Sequence, residues 1–459
     1  MKKEHLAVFL IILFTGILLR IVPAAREPYP IGYDNFFHAR MAEAYAYGIP
    51  RTIPWPEERA NLYPPSYHIL ILFLSILSGY STLTIVRFLL PFLSMLVPIA
   101  VFFILLKFSG SWHDALIGLF LMTFNPFLLS AGYNSPEVIC LFFSIIAFYF
   151  VYFKEKYILA GVFQAIGFSF SFFAGVYTSL LLLVLVFKKD RRRLVKFILP
   201  SLLFLLAWYG SRYDLLYQSN NVFGATFVFM AVKGWLILYA PFILGAVFPL
   251  LVMVKRNPFT NFWISWVVFF TVLYFSFLFT SYFHPWRLPL YISVGFVMLV
   301  ATGLTNRSCW VLKVIFMFSF VLAVLLMLQS NLHSSVNAPD NLTMQWLDSM
   351  QGKRIMSEYS FCGQFLTLSK TNKTCNLDMY FESTPNVSRW IDYERMFWEY
   401  SPDLFRQNVR EYSPDYIVYA SRDGGRQFIE QSLNLSKVFI SWSCNPVCQR
   451  EAAVYVVNQ

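Results

Sequence analysis

From its start to about Gln329 the chain alternates long apolar runs with short polar breaks, and then the alternation stops. A bilayer-spanning helix takes about 20 consecutive apolar residues. The first run, 6–22, and later runs near 82–107, 112–130, 136–153, 157–172, 173–187, 194–210, 233–254, 260–280, 288–304 and 310–329 meet or approach that length, which predicts about eleven helices. The two halves of 157–187 are each short for a span. Beyond about Leu332 polar and apolar residues mix as in a soluble domain of about 125 residues, a size that buries its own core. Strands are predicted at 353–361, 414–421, 437–443 and 452–458, and helices at 397–411 and 425–433, the alternation of a small α/β domain. The expected architecture is a polytopic α-helical membrane domain over 1–331, with a long first external loop at 23–81, followed by an extracytoplasmic α/β domain over 332–459.

Composition agrees with the pattern. The 459 residues are 58% hydrophobic, 19% aromatic and only 13% charged, far from a soluble globular protein. A net charge of +11 raises nucleic-acid binding as a possibility, but the cations fall in short clusters between apolar runs, such as "KEK" at 154–156, "KKDRRR" at 188–193 and "KR" at 255–256. These are cytoplasmic anchors under the positive-inside rule, and no nucleic-acid partner is expected. The rule places the N-terminus in the cytoplasm, and an odd helix count then places the C-terminus outside. The first run follows Met-Lys-Lys-Glu-His and has the outline of a secretory signal, yet "PAA" at 23–25 is the nearest approach to a cleavage site, so it is read as a retained first helix.

Four of the six cysteines, Cys362, Cys375, Cys444 and Cys448, lie in the C-terminal part together with sequons at Asn341, Asn372, Asn386 and Asn434. Both suit an extracytoplasmic compartment. Pairs Cys362–Cys375 and Cys444–Cys448 would close the shortest loops, although spacing does not fix connectivity. No internal repeat is present, which gives no support to a transporter built from visible repeats.

Candidate chemistry gathers on the predicted outer side. In "YPIGYDNFFHARMAEAYAYGIP", a helix over 35–47 would put Asp34 at its N-cap with His38 one turn on and Arg40 beyond it. Asp34 is then either a cap or an acid aimed at an outer cavity. Further along the same loop, Tyr67 and His68 open an apolar helix at 69–77, too short to span; interfacial anchoring is the expected role of these two. Glu137 follows Ser135-Pro136, where an acid either favours a helix start or shares a divalent cation with Asp34. Two carboxylates completed by phosphate oxygens would suit Mg²⁺ or Mn²⁺. Arg287, between Pro285 and Pro289, either snorkels to headgroups or clamps a phosphate with both arms of its fork.

These segments carry a resemblance. "DNFFHARMAEAYAYGIP" resembles the first external loop of the catalytic subunit of oligosaccharyltransferases, whose pattern runs D-P-Y-Y-H-x-R and then an amphipathic stretch with Gly-x-Pro. "YPPSYHILILFLSILSG", "SAGYNSPEV" and "HPWRLPLY" are similar to further segments of the GT-C superfamily of lipid-linked sugar transferases. The resemblance implies a membrane glycosyltransferase that takes sugar from a polyprenyl-phosphate or diphosphate donor and passes it to a glycan or protein acceptor on the outer face. Asp34 would be the catalytic or metal-binding acid, Glu137 the second metal ligand and Arg287 the donor-phosphate ligand, with His38, Arg40, Tyr67 and His68 in support. The chain departs from oligosaccharyltransferases in lacking a Trp-Trp-Asp-Tyr-Gly acceptor motif, in having Asn134-Ser-Pro-Glu137 where acid-x-acid is usual, and in showing no flexible-loop glutamate motif at 211–232. Recognition of an asparagine sequon is therefore not implied. Two other classes compete: a transporter or flippase for lipid-linked sugars, and a non-catalytic subunit of a glycosylation complex. The candidate charges lie at helix ends on one side instead of mid-span, which favours a surface active site over a translocation path.

Overall fold

The computed structural model describes residues 3–27, 29–31, 34–50, 61, 63–211, 254–276, 288–303, 307–330, 338–350, 354–356, 374–375, 406, 409–410, 414–419, 435–443 and 450–457. The chain divides into two compact units: Met1–Ile31, Leu62–Tyr213 and Phe227–His333 form the first, and Gly32–Asn61, Asp214–Thr226 and Ser334–Gln459 the second.

The described part of the first unit is helical. Helix α1 (Lys3–Arg26) is followed by α2 (Asp34–Tyr45), which belongs to the second unit, and then by α3 (Ser66–Ser78), α4 (Thr82–Leu93), α5 (Leu96–Ser109), α6 (Trp112–Thr123), α7 (Pro126–Asn134) and α8 (Glu137–Tyr149). Next come α9 (Tyr157–Phe168), α10 (Phe172–Asp190), α11 (Leu194–Leu205), α12 (Pro258–Ser276), α13 (Leu288–Gly303) and α14 (Arg307–Ser330). By length and apolar composition, five stretches among the described residues are able to cross a bilayer: Lys3–Arg26, Thr82–Ser109, Glu137–Lys154, Phe172–Gly210 and Pro258–Phe275; a sixth is the bent pair α6 and α7. The protein is an integral membrane protein. The helix expected at 233–254 lies outside the described residues.

Local chemistry sets the helix ends. Ser81 Oγ accepts from Thr84 N at 3.2 Å and Ser111 Oγ from Asp114 N at 3.3 Å, each relieving one of the bare N–H groups of a helix start. Gly79 and Gly110 end α3 and α5 at φ 71° and 66°, the left-handed turn that a Cβ disfavours. Two expected single helices prove to be interrupted. The stretch at 82–107 breaks at Ser94–Met95, one turn after Pro91, and that at 112–130 bends by 50° before Pro126. A proline ring offers no N–H to the preceding turn, so the backbone must find other partners at both places.

Packing in this unit is carried by aromatic rings and small residues. The rings of Phe148 and Trp263 lie 5.0 Å apart, Trp266 and Phe270 5.1 Å, and Phe270 and Tyr291 4.7 Å and nearly parallel, while the Trp266 indole N–H donates to Tyr291 O at 2.8 Å. A buried polar network joins α8, α9 and α10: Gln164 Nε2 donates to Gly175 O (3.0 Å) and Thr178 Oγ1 (2.9 Å), and Ser144 and Thr178 share a hydroxyl bond of 2.8 Å. At Gly161 a Cβ would stand 2.3 Å from Phe197 O, so glycine sets how closely α9 approaches α11.

In the second unit, α15 (Ala338–Ser349) precedes a five-stranded sheet of β1 (Arg354–Met356), β2 (Thr374–Cys375), β3 (Tyr416–Tyr419), β4 (Leu435–Ser443) and β5 (Arg450–Val457), in the order β2-β1-β3-β5-β4. Strand β1 runs parallel to β2 and β3, whereas β5 is antiparallel to β3 and β4. Trp346 of α15 stacks on Phe439 with centroids 5.0 Å apart and meets Tyr416 edge-on at 5.6 Å, which fastens the helix to the sheet. The small side chains of Ala452 and Ala453 and the bulk of Val454 and Tyr455 are all buried on β5. The expected pairing Cys362–Cys375 and Cys444–Cys448 involves residues outside those described, as do most of the expected helices 397–411 and 425–433.

Candidate active site

Helix α2 begins at Asp34 itself, so the acid occupies the first turn, where the helix dipole favours a negative charge. His38 follows at i+4 on the same side of the helix, is buried, and meets the Phe37 ring edge-on at 5.4 Å. Arg40 is half-buried; desolvation lowers its pKa, and Glu43 opposes that shift. The three residues singled out in the first-loop motif thus share one short helix in the second unit. Nearly every side of this helix is covered, with Asn35, Phe36, Ala39, Met41 and Ala42 also buried.

Tyr67 and His68 stand at the start of α3 in the first unit. Interfacial anchoring was expected of them; both are buried by protein, at 0% and 1% exposure. The cause is a clamp at the helix start, where Ser66 N donates to Ser169 O at 3.0 Å and Ser66 Oγ to Ser169 Oγ at 2.7 Å, drawing the first turn against the turn after α9. The opposite side of α3, with Phe73, Ile76 and Leu77, is the exposed one.

Glu137 opens α8 in the first unit and is buried at 3% exposure, with its own N–H accepted by Ser135 Oγ at 3.3 Å. A carboxylate so placed gains from the dipole of α8. Arg287 lies outside the described residues, immediately before α13. Arg87 is engaged with α1: its Nε and Nη2 donate to Ala24 O (2.6 Å) and Ala25 O (2.9 Å), among the last carbonyls of that helix. Among the described residues no three His, Cys, Asp or Glu side chains form a group able to hold a metal.

One buried charge escaped the reading of the sequence. Arg20, the only charged residue within the apolar run 6–22, is 1% exposed in the interior of α1. The signal was available, because an ionisable residue inside a membrane helix is by default a pointer to function. Lys313 of α14 is a second such cation, 6% exposed.

No protein-family model matches the chain, and no curated protein matches it. Solved structures do. Over its whole length the chain is similar to the arabinofuranosyltransferase AftD from Mycobacteria, at a TM-score of 0.57 and 14% identity, spanning 40% of that protein. It is similar to the Archaeoglobus fulgidus oligosaccharyltransferase at 0.58 and 12% identity, over 91% of this chain and 70% of that one. With ArnT from Cupriavidus metallidurans bound to undecaprenyl phosphate the values are 0.57 and 12%, over 98% and 97% of the two chains. These neighbours are GT-C glycosyltransferases, and the fold of this chain is theirs.

Proposed function

We propose that the protein is a GT-C-type glycosyltransferase that takes a sugar or oligosaccharide from a polyprenyl-phosphate or diphosphate carrier and transfers it to a glycan or protein acceptor at the extracytoplasmic face. The observation that carries this reading is the likeness, nearly end to end in both chains, to a transferase bound to undecaprenyl phosphate. The first-loop motif around Asp34 supports it independently. The topology proposed with it has about eleven helices, a cytoplasmic N-terminus and an extracytoplasmic α/β domain at the C-terminus.

In this reading Asp34 is the catalytic acid or base and, with Glu137, a ligand of Mg²⁺ or Mn²⁺. The donors fit such an ion in kind, since both are hard carboxylate oxygens, and Glu137 is a carboxylate already withdrawn from water. A bound cation would neutralise charge on the phosphate leaving group. Arg287 holds the donor phosphate through its planar fork. His38 and Arg40 keep the Asp34 turn in shape from the same helix, and Tyr67 and His68 fix the start of α3.

The test is transfer from a panel of radiolabelled polyprenyl-phosphate sugars by the purified, reconstituted protein. Asp34→Ala and Glu137→Ala are expected to lower turnover by about 10²–10⁴-fold, the usual weight of a positioned acid or base, with unchanged melting. EDTA is expected to stop the reaction. Arg287→Ala is expected to raise KM for the donor, with Arg287→Lys intermediate. Movement of labelled lipid between leaflets without transfer would establish the flippase reading instead.

A further inference from the structure

Three stretches of the first unit carry a proline, α1, α4–α5 and α6–α7; the last two are broken beside it, and all three meet at one side chain. In α1, Pro23 has no N–H to give to Leu19 O. Between α4 and α5 the ladder fails after Pro91: Met95 N turns to Phe92 O at 3.1 Å, and Pro91 O takes the hydroxyl of Ser94 at 2.7 Å. Between α6 and α7, an unbroken helix would send Phe127 N to Thr123 O; instead Phe127 N goes to Asn125 Oδ1 at 3.0 Å, and Thr123 O is released.

Arg20 collects these ends. Its Nε donates to Ser94 Oγ at 2.8 Å, and through that hydroxyl it is joined to Pro91 O. Its Nη1 donates to Thr123 O at 3.2 Å and to Gly16 O of its own helix at 3.1 Å. In return the Tyr133 hydroxyl, near the end of α7, donates to Arg20 O at 2.9 Å and reaches the released Leu19 O at 3.1 Å. No carboxylate reaches the guanidinium among the described residues, so its charge is met by carbonyl dipoles and one hydroxyl. Close packing leaves little play: a Cβ on Gly132 would stand 2.8 Å from Ser94 Oγ, and one on Gly16 2.6 Å from Thr123 Cγ2.

The segment held in this way is α7, gripped just before its start through Thr123, the last residue of α6, and near its end through Tyr133. Three residues beyond it comes Glu137. We infer that Arg20 is a positioning residue: by tying α1 to the breaks that follow α4 and α6 it fixes the direction of α7 and hence the place of the Glu137 carboxylate. The inference about Glu137 rests on the reading of that acid as a cation ligand, so the test has two arms.

The first arm measures geometry alone. In the full-length protein in nanodiscs, nitroxide labels at Leu18 of α1 and Ala131 of α7 are expected to give a narrow distance distribution that widens in Arg20→Met and less so in Arg20→Lys. The second arm measures Mn²⁺ binding to the same protein by electron paramagnetic resonance. Glu137→Gln is expected to abolish a tight site, and Arg20→Met to weaken it tenfold or more while melting remains cooperative. Unchanged distances in the folded Arg20 variants would overturn the positioning role whatever Glu137 does. Unchanged distances with wild-type Mn²⁺ affinity in Glu137→Gln would remove both ideas; changed distances with that affinity would leave the positioning of α7 standing and discard only the cation site. Should Arg20→Met fail to fold, Arg20→Lys and Ser94→Ala, which each remove part of the same fork of hydrogen bonds, carry both arms.

Discussion

Among its described residues the first unit buries two cations, Lys313 and Arg20, and meets them in opposite ways. Lys313 of α14 reaches the end of α13, donating to Ala301 O at 3.1 Å, and faces the Asp114 carboxylate at 3.5 Å. Each partner gains from a dipole, since the ammonium meets the carbonyl end of α13 and Asp114 lies in the first turn of α6. Among the described residues Arg20 has no such acid and takes its acceptors from its own helix and from two broken ones. The difference follows from the head groups: an ammonium is a compact charge that pairs with a point counter-charge, whereas a guanidinium is a flat fork whose five N–H groups suit several neutral oxygens at once. Helix ends supply the first environment and helix breaks the second.

Four substitutions probe that contrast by thermal or denaturant unfolding in detergent. The largest loss is expected from Asp114→Ala, which strands a buried ammonium; about 2–3 kcal/mol is expected, below the usual 3–5 because part of Asp114 is exposed. Gly132→Ala is next, at about 1–3 kcal/mol, because the new methyl meets Ser94 Cβ at 2.9 Å and α7 must shift. Ser94→Ala removes one neutral acceptor while Arg20 keeps its carbonyls, and a loss of about 1–2 kcal/mol is expected. Tyr133→Phe should be mildest, about 1 kcal/mol, since one hydroxyl is lost and the ring stays packed against Ala24 and Leu129. An Asp114→Ala cost smaller than that of Ser94→Ala would erase the distinction between charged and neutral satisfaction.

Much of the helical part was legible in the sequence, because apolar runs bounded by serine, asparagine, glycine and proline state their own ends. The expected helix at 69–77 corresponds to Ser66–Ser78, and the uncertain pair in 157–187 to α9 and α10, parted at Ser169–Ser171. Strands β3, β4 and β5 lie on expected segments for the same reason, their alternation being strong, while α15 and the two-residue β2 left no comparable signal. The breaks at Ser94 and Thr123 were not legible as breaks: proline was visible, but the acceptors and donors that make a break tolerable come from helices 74 and 103 residues away from Arg20. The candidate site divides along the same line. Asp34, Glu137 and Arg287 were found as motif residues, whereas the burial of Tyr67 depends on a serine of another helix turn that no local pattern announces.

The separation in sequence also has a consequence in time. Helix α1 leaves the ribosome with Arg20 in its apolar stretch, and the oxygens that will receive it are made later: Ser94 comes 74 residues afterwards and Thr123 103. At about 5–20 residues per second of synthesis, the guanidinium waits roughly 5–20 seconds for its last acceptor. An arginine at the centre of a lone membrane helix costs about 2.5–3.5 kcal/mol on insertion scales, and Arg20, near the end of its apolar run, bears a smaller share of that cost until its acceptors arrive. The nascent α1 is therefore expected to linger beside the insertion machinery, sheltered by protein or water, until α7 emerges, so that a helix made before α4 and α6 settles into lipid only after them.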